Sequence, residues 1–181
     1  LQRVIDRLAP QTGRLVVNAN GDPGRFAQFG LPVVADTVAG FVGPLAGVLA
    51  AMRWSAANTP EARFIVTVST DAPFLPTDLV ERLLAGEAAR PGGIALAASA
   101  GELHPVIGLW PVALADDLEA ALTQGTRKVL AWTDRHGTIP VEFPFVDIGG
   151  TRVDPFFNAN TPDELEEARR LASLEAGAAA S

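Results

Sequence analysis

The sequence has no cysteine, two histidines and a single methionine in 181 residues, and Lys128 is its lone lysine. Without thiols there can be no disulfide scaffold, no zinc-thiolate site and no cysteine nucleophile, and a reducing compartment is compatible with the composition. Two histidines cannot make a three-histidine metal centre. Positive charge is also scarce, with 14 Lys plus Arg against 21 Asp plus Glu and a net charge of −7. That balance opposes the broad phosphate-neutralising surface on which duplex binding depends. It leaves room for a phosphorylated small molecule where backbone amides, a few arginines or a divalent ion supply positive field locally. Gly, Pro, Asp or Arg interrupts every apolar stretch well short of the roughly 18 residues of a membrane span, so no transmembrane helix is predicted. The first ten residues, Leu1 to Pro10, have neither the basic start nor the apolar middle of a signal peptide.

What is present favours a single folded unit. Hydrophobic residues make up 48% and charged residues 19%, ample for a core and unlike a disordered chain. Leu1, Val4, Ile5 and Leu8 have helical spacing and stop at Pro10. Short β-branched runs follow at Arg14–Asn18 and Pro32–Ala35, each ending in polar residues at Asn18 and Asp36. Leu45, Val48, Leu49 and Met52 form one face of a helix opening at Pro44. Arg63–Val68 is the strongest strand and runs into Asp71-Ala72-Pro73-Phe74-Leu75-Pro76. A helix opening at Pro76-Thr77-Asp78 turns Leu79, Val80, Leu83 and Leu84 inward.

Strands are further expected at 93–98, 106–110 and 138–143, and helices at 111–122 and 127–136. Thr161-Pro162-Asp163-Glu164 combines an N-cap, a proline at the first helical position and a capping-box glutamate. One domain is expected over residues 1–173, with an Ala-rich tail at 174–181 that frays. Alternating strands and helices predict an α/β sheet covered on both faces, whose ligands bind beyond the carboxyl ends of its strands. Asn18, Asp36 and Asp71 then share one edge.

The chemistry of those positions is double-edged. A carboxylate just past a buried strand, such as Asp71, can hold Mg²⁺ while phosphate and water oxygens complete the octahedron; Asp-x-Pro is equally good turn chemistry. Asp36 can accept hydrogen bonds from ring nitrogens of a base, or simply begin a surface loop. Asn18 suits a base edge or a ribose, or an ordinary Asn-Ala-Asn-Gly turn. Gly43 and Gly47 flank the start of a helix, where they permit either a ligand or a neighbouring chain to come close. Arg127-Lys128 can grip a phosphate or form a solvated helix face. Asn158-Ala159-Asn160 has loop geometry as its default, and His136 near a helix end needs no role beyond compensating the dipole.

Taken together and in order, Leu15-Val16-Val17-Asn18-Ala19-Asn20, Val33-Val34-Ala35-Asp36, Gly43-Pro44-Leu45-Ala46-Gly47, Asp71-Ala72-Pro73-Phe74-Leu75-Pro76, His104-Pro105 and Phe157-Asn158-Ala159-Asn160-Thr161-Pro162 resemble the molybdenum cofactor guanylyltransferase family. The resemblance covers nearly the whole chain up to the final helix. It implies a Rossmann-like three-layer α/β sandwich of the nucleotide-diphospho-sugar transferase type with a mostly parallel sheet. It also implies a cytoplasmic, Mg²⁺-dependent enzyme that joins GMP from GTP to molybdenum-bound molybdopterin and works beside other molybdenum cofactor biosynthesis proteins. Carried over by residue, it puts Asn18, Asp36 and Gly47 at the guanine nucleotide and makes Asp71 the catalytic Mg²⁺ ligand touching the GTP phosphates. Asn158, Asn160, Arg127 and Lys128 fall on the molybdopterin side.

The family's N-terminal strand and glycine-rich phosphate loop, Leu-x-Gly-Gly followed by Arg-Met-Gly and a lysine, have no counterpart in this sequence. The expectation is an N-terminally incomplete domain that is poor or inactive as it stands. A molybdopterin cytidylyltransferase or related nucleotidyltransferase, and a non-catalytic pterin-binding protein, are the alternatives.

Overall fold

The computed structural model of the chain describes residues 1–37, 43–159 and 161–179. Helix α1 (Gln2–Leu8) leads to β1 (Val17–Asn18) and β2 (Val33–Val34), followed by α2 (Pro44–Asn58), β3 (Phe64–Thr67) and α3 (Leu79–Ala89). The second half holds β4 (Ile94–Ser99), β5 (Glu102–Pro111), α4 (Ala115–Thr123), α5 (Val129–His136), β6 (Thr138–Glu142), β7 (Val146–Ile148), β8 (Thr151–Val153) and α6 (Pro162–Ala179).

Period-two alternation in β4 organises the layers. Ile94 and Leu96 point to one face, where Leu45, Leu49 and Met52 of α2, Leu118 of α4 and Trp132 of α5 close over them. Ala95 and Ala97 point to the other, against Leu79 and Leu83 of α3. The result is the three-layer α/β arrangement expected from the alternation of elements.

Four strands form the main sheet in the order β3-β5-β4-β6, and β1 pairs with β2 in a separate parallel ribbon. Within the main sheet β4 and β6 are parallel, whereas β5 runs against both β3 and β4. The strands are thus mostly parallel, with β5 the reversed member. Its reversal comes from a two-residue hairpin, Ala100-Gly101, in which both residues have positive φ, 51° and 81°. Such turns match the natural twist of the paired strands.

A second hairpin, β7 to β8, was not expected from the sequence. It turns at Gly149-Gly150, and with Phe74, Ala168 and Leu171 it makes a small satellite core. Helix α6 begins with the expected capping box: the Thr161 amide donates to Glu164 Oε2 at 2.9 Å, and the Glu164 amide to Thr161 Oγ1 at 3.2 Å. It runs on through Leu174 to Ala179, and Glu175 is gripped there by Arg3 and Arg7 of α1.

Burial pushes the Glu175 carboxyl up, but the hydrogen bonds and charges of Arg7 and Arg3 outweigh it and hold the group below its ordinary value. A depressed carboxylate stabilises the fold above its unfolded pKa, about 4.3, and that contribution disappears as pH falls through the folded value. Acidification is therefore expected to loosen the α1–α6 contact, and Glu175→Gln should remove that part of the pH dependence. Amide exchange of α6 followed from pH 6 down to pH 3 checks it.

A cleft opens between the two sheets. Among the described residues β1 pairs only with β2 and β3 only with β5, so each has one edge without a described partner. A cleft of about 840 Å³ is lined by Val16 and Val17 of the β1 segment and by Phe64 to Val68 of the β3 segment.

Candidate functional site

β1 and β2 are in register, with Asn18 opposite Val34, so the residues just past both strands meet at one edge. Asn18 Nδ2 donates to the Val34 carbonyl at 3.0 Å and to Asp36 Oδ1 at 3.1 Å. Asn20, which the sequence offered only as a turn former, holds the other side: its Nδ2 donates to Asp36 Oδ2 at 2.8 Å, and the Asp36 amide donates to its Oδ1 at 2.9 Å. The Asp36 carboxylate is therefore fixed by two side-chain amides while each oxygen keeps acceptor capacity. The signal for Asn20 was parity, because residues 18 and 20 of an extended segment point to the same face.

Gly47, in the first turns of α2, is what lets this pair sit where it does. A Cβ there would lie 2.4 Å from Asn18 Oδ1, well inside van der Waals contact. Gly47→Ala sets two effects against each other: better helix propensity, up to about 1 kcal/mol, and strain on the two hydrogen bonds that Asn18 Nδ2 makes, about 1 kcal/mol for each one lost. The expected outcome is a melting temperature within a few degrees of wild type and, for a guanine nucleotide placed where the family resemblance puts it, an affinity about tenfold weaker, since an ångström-scale displacement of a binding group costs that much or more. Calorimetric titration with GTP beside a thermal melt checks both halves.

Asp71 follows β3 in the loop that leads to α3. The turn there is closed by the main chain, the Ala72 amide donating to the Ser69 carbonyl at 3.4 Å. Among the described residues nothing hydrogen-bonds or ion-pairs with the Asp71 carboxylate, so its side chain does not serve the turn. It lines the same cleft as Asn18 and Gly47.

No group of three or more His, Cys, Asp or Glu could hold a metal ion among the described residues. A cage made by protein alone is thus absent there. One uncommitted carboxylate at a cleft nevertheless fits Mg²⁺, which binds through one or two carboxylates plus phosphate and water oxygens.

The loop before α6 is tied to this point, because the Ala159 amide donates to the Asp71 carbonyl at 3.3 Å. Beside it Asn158 Oδ1 is buried without a partner. Asn160 lies outside the described residues. Arg127 and Lys128 stand exposed at the α4–α5 junction, where Arg127 Nη1 donates to the Leu122 and Thr126 carbonyls. Neither lines the cleft.

Residues 1–138 match the model of the MobA-like NTP transferase domain. A molybdenum cofactor guanylyltransferase from Bradyrhizobium sp. (strain ORS 278) is 53% identical over 176 residues, covering 97% of this chain and 81% of that protein. The chain belongs to the molybdenum cofactor guanylyltransferase family. As a member of this family it is a nucleotidyltransferase by descent.

Solved structures agree on the fold. Molybdopterin-guanine dinucleotide biosynthesis protein A from Archaeoglobus fulgidus superposes with a TM-score of 0.67 at 23% identity, over 95% of this chain and 84% of that one. A 4-diphosphocytidyl-2C-methyl-D-erythritolsynthase from Anaerococcus prevotii gives 0.67 at 9% identity, over 95% and 88%. The nucleotide-diphospho-sugar transferase type of α/β fold is therefore the family's and this chain's. No described helix is long and apolar enough to cross a membrane.

Proposed function

We propose that this protein transfers GMP from GTP to molybdenum-bound molybdopterin, yielding molybdopterin guanine dinucleotide and pyrophosphate. The observation that supports the reading is the Asp71 carboxylate, which has no hydrogen bond or ion pair among the described residues and lines one cleft with Gly47 and with Asn18, the side chain that holds Asp36.

Asp36 would read the base. Guanine presents N1–H and an exocyclic amino group side by side, and a carboxylate with both oxygens held in place can accept from both. Asn18 and Asn20 keep that carboxylate from rotating. Mg²⁺ held by Asp71 would supply positive charge to the GTP phosphates when bound.

In the reaction a terminal phosphate oxygen of molybdopterin forms a bond to the α-phosphorus while the bond from that phosphorus to the bridging oxygen of pyrophosphate breaks. The protein's work is placement and exclusion of water, so no covalent intermediate on a side chain is needed. Asn158 and Asn160, with Arg127 and Lys128, would serve the molybdopterin side. A strand and glycine-rich phosphate loop of the family's pattern would fit the apolar part of the cleft between β1 and β3. The setting is the cytoplasm, beside other proteins of molybdenum cofactor synthesis.

Pyrophosphate release by the complete chain, assayed with molybdopterin, Mg²⁺ and either GTP or CTP, tests the proposal. Release with GTP and at least tenfold less with CTP is expected, the order of discrimination that mismatched hydrogen bonding supplies. Equal release with both, or release that ignores molybdopterin, would overturn it.

A further inference from the structure

A half-buried polar relay lies beyond these groups, at the carboxyl end of β4. Ser99, only 2% exposed, stands between His104 and Asp154: its Oγ is 2.7 Å from His104 Nε2 and 2.7 Å from Asp154 Oδ2. A hydroxyl has one proton, and the carboxylate takes it. Ser99 must then accept from His104, which therefore carries hydrogen on Nε2. With serine in the middle and its proton committed to a carboxylate, this is not the arrangement of an activated nucleophile, in which the imidazole stands between serine and acid. The relay is a device for holding Asp154.

What Asp154 holds is the loop that reaches Asp71. Its Oδ1 accepts the Phe156 amide at 2.8 Å and its carbonyl the Phe157 amide at 3.1 Å. Two residues later the Ala159 amide meets the Asp71 carbonyl, with the unpartnered Asn158 Oδ1 between. His104 also packs its ring on Phe156, with centroids 4.7 Å apart, so it braces both ends of the turn. The β4–β5 hairpin that presents Ser99 and His104 turns at Ala100-Gly101, with Ser99 paired to Glu102.

We propose that His104 and Ser99 are positioning residues that act through Asp154 to fix the Asn158 loop against Asp71, and so set the grip on the phosphopterin substrate without touching the nucleotide. The substrate assignment rests on the function proposed above; the mechanical relay does not.

In the complete enzyme, Ser99→Ala is expected to raise KM for molybdopterin about tenfold while KM for GTP stays unchanged, in line with what small misplacements of a binding group cost. His104→Ala should reproduce that split. His104→Gln, whose amide can donate in place of Nε2–H, should restore near wild-type values. Amide exchange at Phe156, Phe157 and Ala159 should accelerate in Ser99→Ala and His104→Ala.

Parallel changes in both KM values, or a lower melting temperature with no split, would overturn the role in substrate binding. Unchanged exchange in the loop would overturn the relay. A wild-type enzyme indifferent to molybdopterin would instead sink the proposed function, and the exchange measurement would still decide the relay. If Ser99→Ala does not fold, the His104→Ala and His104→Gln pair reads out the same contrast.

Discussion

Asp71→Ala is expected to lower turnover by roughly 10³-fold or more, about 4 kcal/mol of transition-state stabilisation, while leaving the melting temperature within about 2 °C of wild type. The two halves of that expectation come from the same observation. Among the described residues the carboxylate has no hydrogen bond or ion pair, so its removal strands no buried partner. The neighbouring turn is closed by the Ser69 carbonyl, and the bond from the Ala159 amide goes to the Asp71 main chain, which alanine keeps. Under the proposed function the charge of that carboxylate serves the metal instead.

Mg²⁺-promoted GTP binding, measured by calorimetry, should disappear with the substitution. Asp71→Asn, which keeps an oxygen but not the charge, should recover only a small part of it. Near-normal turnover in Asp71→Ala would remove the proposed metal ligand. A drop in stability large enough to account for lost activity would show that the side chain has structural work after all.

Much of the fold was legible because its patterns are local. Leu45, Val48, Leu49 and Met52 sit on the buried face of α2, and the capping box at Thr161 opens α6. These follow from helical spacing and cap chemistry that a few residues contain entirely. The β4–β5 hairpin was not legible, since Ala100-Gly101 lacks the Asn-Gly or Asp-Gly signature and places alanine where glycine is favoured. Strands as short as β7 and β8, three residues each, leave too little alternation to count.

The site divides in the same way. The rule that strand ends gather ligands placed Asn18, Asp36 and Asp71 on one edge; the structure puts Asn18 and Asp36 on a separate two-stranded ribbon and brings Asn18 and Asp71 to a common cleft. Parity puts Asn20 on the face of Asn18, but its partnership with Asp36 spans 16 residues and that of Ser99 with Asp154 spans 55, and no local pattern names either partner. Tertiary packing created them. The packing role of Gly47 against the Asn18 side chain likewise appears only once α2 is laid against β1.

Joining a strand and glycine-rich loop of the family's pattern ahead of Leu1 is expected to raise both stability and turnover. Among the described residues β1 and β3 each leave one backbone edge without a partner, and they line a common cleft with Val17 and Val66. An inserted strand could satisfy ladder hydrogen bonds on both sides at once and cover apolar surface on both faces. A net gain of about 3 kcal/mol would appear as a melting temperature roughly 6–12 °C higher. The loop that follows such a strand would turn its backbone amides toward the nucleotide phosphates, beside Asp71, so GTP-dependent pyrophosphate release should rise roughly 10²-fold or more.

A control separates pairing from mere added length. The same segment carrying two prolines in the strand cannot donate to either neighbour and should leave both quantities where they were. If the unmodified segment also changes neither, the cleft between β1 and β3 does not receive a strand, and the phosphate cradle must be sought among other residues. If the melting temperature rises while pyrophosphate release does not, the strand docks as argued but the loop contributes nothing to the triphosphate, and Asp71 would have to act without it.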